Sequence, residues 1–98
     1  MPEPSRGDVW FVDLTPTRGH EQAGMRPGLV VSVNPFNHGP AGLVVLLPLT
    51  SVPKGVPFHV AVDAPEGGLK AKSFIKCEDI RSVAKERLSG RLGKVSAR

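Results

Sequence analysis

Apolar residues along this chain come in short bursts, each closed by Gly, Pro or a polar stretch. Residues 8–14 (Asp8-Val9-Trp10-Phe11-Val12-Asp13-Leu14) form the first burst, opened by Gly7 and rich in β-formers, and predict a strand. Residues 15–25 are polar and punctuated by Pro16, Gly19 and Gly24, which predicts a long loop of the functional kind. Arg26-Pro27-Gly28 leads into a second strand at 29–33, and 34–40 read as a turn from their Asn, Pro and Gly content. Residues 43–47 are apolar without interruption, so this third strand is expected to be buried on both faces. Three strands in succession suggest an antiparallel meander.

Pro48, Pro53 and Pro57 then predict the end of the third strand and a second irregular loop over 48–57. In 58–62, Phe58, Val60 and Val62 alternate with His59 and Ala61, the period-2 pattern of a half-buried strand with His59 on its solvated face. A turn at 64–68, a short strand at 73–77, a helical turn at 78–80, a strand at 81–84 and a helical turn at 85–88 complete the pattern. The stretch from Ser89 to Arg98 is too short for a stable isolated helix.

Composition sharpens this picture. Eleven Gly and ten Pro in 98 residues disfavour long helices and suit short strands joined by many turns, a mainly β fold with short helices. The length is that of one domain, 1–98, burying only about 60–65% of the unfolded chain's surface, so pairing with a second subunit brings useful burial. A net charge of +4 favours a polyanionic partner, nucleic acid or an acidic protein. Cys77, the single cysteine, cannot form an intrachain disulfide; it reads as a small core residue in a reducing compartment. The first seven residues lack a signal peptide's apolar run, and no stretch reaches the ~20 apolar residues of a membrane span. A soluble cytoplasmic protein is expected.

Several chemistries are missing. His20, His38 and His59 are far apart, and there is no Cys-x-x-Cys or His-x-x-x-His spacing for zinc. A phosphate-binding P-loop, a dinucleotide fingerprint and the carboxylate cluster of a two-metal nuclease are all lacking. No cofactor and no metal are expected, so phosphodiester chemistry on this chain would proceed without metal.

The opening Arg6-Gly7-Asp8-Val9-Trp10-Phe11-Val12-Asp13-Leu14-Thr15-Pro16, followed by Gly19-His20-Glu21-Gln22, resembles the start of MazF/PemK-type toxins. Arg26-Pro27 entering a Val-rich strand, a third strand closing in Leu49-Thr50-Ser51, and a late Ile80-Arg81-Ser82-Val83 with Arg87-Leu88 continue the resemblance to about residue 95. It implies an SH3-like small β-barrel of the MazF/CcdB toxin fold, a homodimer, and a sequence-specific endoribonuclease of single-stranded RNA held in check by an antitoxin. It also implies a C-terminal helix that is short or absent here.

Metal-free RNA cleavage uses the substrate's 2′-hydroxyl as nucleophile and leaves 2′,3′-cyclic phosphate and 5′-hydroxyl ends. The protein must align the attack, move two protons and stabilise charge on the phosphate oxygens. A guanidinium fits phosphate through a planar fork of donors, which singles out Arg26; Thr50 offers a hydroxyl. The resemblance places a catalytic Arg and Thr at these two positions. If strands two and three pair antiparallel, both residues lie at one barrel end. His20 and Glu21, in the long loop, are both open as proton carriers. Gln22, Ser51, Lys54, Phe36 and Asn34 are the RNA-contact candidates, with Phe36 reading either as a stacking contact or as a core anchor. An acidic, flexible antitoxin segment is the expected protein partner. The rival readings are a CcdB-type gyrase poison and an inactive binding barrel, neither of which requires the Arg26 and Thr50 pair.

Overall fold

The computed structural model describes residues 3–14, 24–52, 55 and 59–96. Its elements are β1 (Asp8–Asp13), β2 (Met25–Val30), α1 (Asn34–Asn37), β3 (Leu43–Thr50), β4 (His59–Val62), β5 (Ser73–Lys76), β6 (Arg81–Ala84) and β7 (Leu88–Lys94). Single 3-10 turns sit at Glu66–Gly68, Cys77–Asp79 and Lys85–Arg87. Every strand pairing is antiparallel, in the order β4-β5-β3-β2-β1-β7, with β6 also paired to β3. The sheet curls into an open, barrel-like form that leaves β4 and β7 as edges.

The expected β1-β2-β3 meander is present. Its details differ from the sequence reading wherever ladder contacts outweigh local composition. β2 starts at Met25 and ends at Val30, because Arg26, Pro27 and Gly28 pair with Val12, Phe11 and Trp10. Beyond Val30, the N–H groups of Val31 and Ser32 both turn to the Val45 carbonyl. The composition-predicted turn after it contains a short helix, α1, with Pro35 in its first turn. Buried Asn37 locks that helix: its amide donates to the Ser32 carbonyl at 2.8 Å, and Ser32 Oγ donates to Asn37 Oδ1.

β3 runs through Pro48 to Thr50, since Leu43–Leu46 pair with β6 while Leu49 and Thr50 pair with β5. Over 43–48 only one of its faces is buried, through Val44, Leu46 and Pro48; Leu43, Val45 and Leu47 on the other are half-buried. β4 inverts the predicted alternation in part. Val62 is buried, but Val60 is 45% exposed, while the His59 side chain is only 4% exposed. The helical turn predicted at 78–80 closes at Cys77–Asp79. The largest departure is β7, a seven-residue strand along β1 where sequence pattern indicated no element. Gly93 is required there: a Cβ would lie 2.6 Å from the backbone of Gly67 and Gly68.

Two apolar clusters fill the two faces of the curled sheet. Trp10, Val12, Val30, Val44, Leu46 and Leu88 belong to one, and Val9, Leu29, Leu49, Val62, Leu69 and Ile75 to the other. Half-buried Cys77 packs against the second cluster, as a small core residue would.

Candidate active site

Residues directly opposite in an antiparallel ladder share a face, and so do residues two apart along a strand. Val12 pairs with Arg26. The β2–β3 register pairs Gly28 with Pro48, and two residues further it sets Arg26 level with Thr50. Thr50 pairs with Phe74, and Phe74 with Ala61. Arg26, Thr50, Phe74 and Ala61 therefore form one row on one face. The next row on the same face is Trp10, Gly28, Pro48, Lys76 and His59. Gly28 in this second row is packed closely: a Cβ there would meet the Leu46 and Val12 side chains at 3.2 Å.

The first row opens to solvent at Arg26, which is exposed, while Thr50 is half-buried at the end of β3. Thr50 Oγ1 accepts the Val52 N–H at 3.2 Å, which orients the hydroxyl and tightens the exit of the strand past exposed Ser51. The backbone N–H of Leu14 donates to the Gly24 carbonyl at 3.0 Å, and Arg87 Nη1 donates to the Asp13 carbonyl at 3.3 Å. These bonds fix the strand ends on either side of residues 15–23 next to Arg26.

A charged cluster follows along the second row. The Lys76 side chain is 8% exposed and lies 3.8 Å from Asp79, itself 10% exposed; Arg81 reaches the same Asp79 oxygen at 2.9 Å. Burial on this scale requires paired charges, and one carboxylate here serves two cations. His59 Nε2 lies 2.9 Å from both oxygens of Glu78, whose side chain is 40% exposed. Partial burial pushes the Glu78 carboxyl up. The His59 hydrogen bond, its own backbone hydrogen bond and the nearby His59 and Lys76 charges outweigh that and hold it below the ordinary carboxylate range. Among the described residues no group of three or more His, Cys, Asp or Glu could hold a metal ion.

The structure thus brings Arg26, Thr50 and Ser51 to one end of the sheet. Asn34 and Phe36 stand in α1, beyond the opposite end of β2. Asn34 Oδ1 is engaged there, accepting the Arg6 N–H at 2.7 Å and the Asn37 amide at 3.3 Å. His20, Glu21, Gln22 and Lys54 lie outside the described residues. Sequence reading did not single out Phe74, Lys76, Glu78, Asp79 or Arg81, and it placed His59 on a solvated face. The available signal was that Phe74 and Lys76 occupy alternate positions of one short strand, an aromatic and a cation on a shared face.

A family model described as PemK-like, MazF-like toxin of type II toxin–antitoxin system matches residues 5–98. The chain belongs to the PemK/MazF toxin family. Endoribonuclease MazF9 of Mycobacterium tuberculosis is 40% identical over 97 residues, spanning 94% of this chain and 82% of the relative. The crystal structure of MazF from Deinococcus radiodurans superposes with a TM-score of 0.84 at 32% identity, covering 98% of this chain and 84% of that one. An endoribonuclease in complex with its cognate antitoxin, from a Mycobacterial species, superposes with a TM-score of 0.74 at 29% identity, covering 98% and 80%. The curled antiparallel sheet is therefore the MazF/PemK fold. The PemK/MazF relatives matched by sequence carry endoribonuclease names, which does not favour the gyrase-poison reading.

Proposed function

We propose that this chain is the toxin of a type II toxin–antitoxin pair and a sequence-specific endoribonuclease that cleaves single-stranded RNA by attack of its own 2′-hydroxyl. The observation that carries the reading is the shared face of Arg26, Thr50 and Lys76. It gives a guanidinium, a hydroxyl and a largely buried ammonium on adjoining rows. The Arg26 fork receives the non-bridging oxygens of the scissile phosphate, where negative charge grows during attack. Thr50 donates its hydroxyl proton to a phosphate oxygen while its own oxygen keeps the Val52 N–H. Lys76 adds positive potential from a site of low dielectric.

The 2′-hydroxyl proton needs an acceptor. Glu78, held ionised by His59 on the same side of the sheet, joins Glu21 and His20 as a carrier for it. As the P–O5′ bond breaks, the departing 5′-oxygen takes up a proton returned by a protonated carrier, giving a 2′,3′-cyclic phosphate and a 5′-hydroxyl; because the nucleophile belongs to the substrate, the reaction needs no metal-activated water. Gln22, Ser51 and Lys54 are the proposed RNA contacts, and Asn34 and Phe36 in α1, beyond the opposite end of β2, are candidates for bases farther along the strand.

A homodimer and an antitoxin complete the proposal. On the opposite face of the sheet a groove of about 520 Å³ is floored by Leu29, Val31, Val60, Val62, Ile75 and Val95. A second copy would cover this apolar surface. A chain of net charge +4 attracts an acidic antitoxin segment, which would compete with RNA for the cationic face. Cleavage of cellular RNA places the protein in the cytoplasm, and no described helix is long and apolar enough to cross a membrane. The test is incubation with a long labelled single-stranded RNA in EDTA. Discrete fragments with cyclic-phosphate ends are expected. Intact RNA across diverse sequences would overturn the reading.

A further inference from the structure

Phe74 is a large apolar residue that belongs to neither core cluster. It is half-buried in the middle of β5, directly opposite Thr50 on one side and Ala61 on the other. Cross-strand partners of this kind have Cβ atoms about 4.5–5.5 Å apart, so the ring stands next to the Thr50 hydroxyl and in the same row as Arg26. Ala61, on the far side, is exposed and carries only a methyl group, so among the described residues its side chain leaves that flank of the ring uncovered. Lys76 follows two residues on, on the same face.

A planar apolar ring, open on one flank and bordered by a phosphate-binding set, suits an unstacked nucleobase. Single-stranded RNA is held by stacking bases on aromatic rings while cations track the backbone. Resting on the endoribonuclease reading, we infer that Phe74 is a base-stacking platform for the nucleotide flanking the scissile phosphate. It fixes the register of the RNA so that the scissile phosphate falls on Arg26 and Thr50. A purine, with the larger face, gains most from this contact.

The test uses RNA whose scissile 2′-hydroxyl is replaced by hydrogen, so that binding is read without cleavage. Abasic substitutions are scanned across the positions on either side of the cut. Wild type, Phe74→Ala, Phe74→Leu and Phe74→Trp are compared, with thermal melts to confirm folding. Stacking by one base corresponds to about a 5- to 100-fold change in affinity, so Phe74→Ala and Phe74→Leu should both weaken binding by a factor in that range. Phe74→Trp should retain binding, and its added indole should be quenched by RNA while buried Trp10 is not. One abasic position should cost affinity in wild type and nothing in Phe74→Ala. Phe74→Leu binding like wild type, or no abasic position whose cost depends on residue 74, would overturn the inference. Wild type that neither binds nor cuts any RNA would overturn the endoribonuclease reading instead.

Discussion

Asp79 neutralises two cations that are themselves largely withdrawn from water, which makes Asp79→Asn the most informative single perturbation of the site's stability. At an effective dielectric of 20, the contacts at 2.9 Å to Arg81 and 3.8 Å to Lys76 correspond to gross attractions of roughly 6 and 4 kcal/mol. Much of that offsets the desolvation of the three side chains. Removing one partner leaves that desolvation cost standing without its compensation, which typically costs about 3–5 kcal/mol. An asparagine still accepts one hydrogen bond from Arg81, so the lower end, about 3 kcal/mol, is expected. For a chain of this size that lowers Tm by roughly 12–24 °C. Urea unfolding of wild type, Asp79→Asn, Lys76→Met and the double variant supplies the cycle. Lys76→Met should recover at least about 1 kcal/mol in the Asp79→Asn background, because it removes a buried ammonium that has lost the Asp79 carboxylate and keeps the volume. A loss below about 1 kcal/mol for Asp79→Asn, or strictly additive effects of the two substitutions, would refute the idea of one carboxylate serving both cations.

Other consequences follow from the same geometry. Gly42 and Gly68 both have positive φ, but a Cβ at Gly42 meets open space whereas at Gly68 it lies 1.9 Å from the Leu92 carbonyl oxygen. Gly42→Ala should therefore cost about 1–2 kcal/mol, the left-handed penalty alone, while Gly68→Ala should detach β7 and fail to give a cooperative melt. Glu3, hydrogen-bonded and attracted by Lys85, and Glu78, against His59, are both held below the ordinary carboxylate range in the fold. A depressed folded pKa adds stability above the unfolded value that is lost as pH falls through the folded one. Tm should thus be insensitive to these groups near neutrality and drop below the usual carboxylate range. Glu78→Gln should flatten that acid limb, and an unchanged limb in the variant would remove Glu78 from the explanation.

The sequence carried the strands with a strong local signal, 8–14 and 43–47, and the order of the meander. It carried Arg26 and Thr50 through their place at strand ends within a family pattern. β7 escaped because its residues alternate weakly and contain two glycines. What makes it a strand is pairing with β1, aided by register shifts between Val9 and Trp10 and between Phe11 and Val12. Pro48 reads as a stop in isolation, yet β3 continues because two partners, β6 and β5, claim its two halves. The charged cluster was hidden for a related reason. Lys76, Asp79 and Arg81 look like ordinary surface charges until the β5–β6 connection folds them together, and His59 looks solvated until Glu78 meets it. Asn34 reads from its polar side chain as an RNA-contact candidate, and the structure adds a bond that no local pattern signals, the Arg6 N–H donated to its Oδ1.

The most direct test of the account is the single-turnover cleavage rate, in EDTA, of one short RNA containing a mapped cut site, for wild type, Arg26→Ala and Thr50→Ala. Loss of a donor aimed at developing phosphate charge slows such reactions by about 100- to 1,000-fold. A loss of that size for Arg26→Ala, with RNA affinity and Tm changed far less, is the predicted result. Cleavage by Arg26→Ala at close to the wild-type rate would contradict the account and move the chemistry away from the face it shares with Thr50 and Lys76.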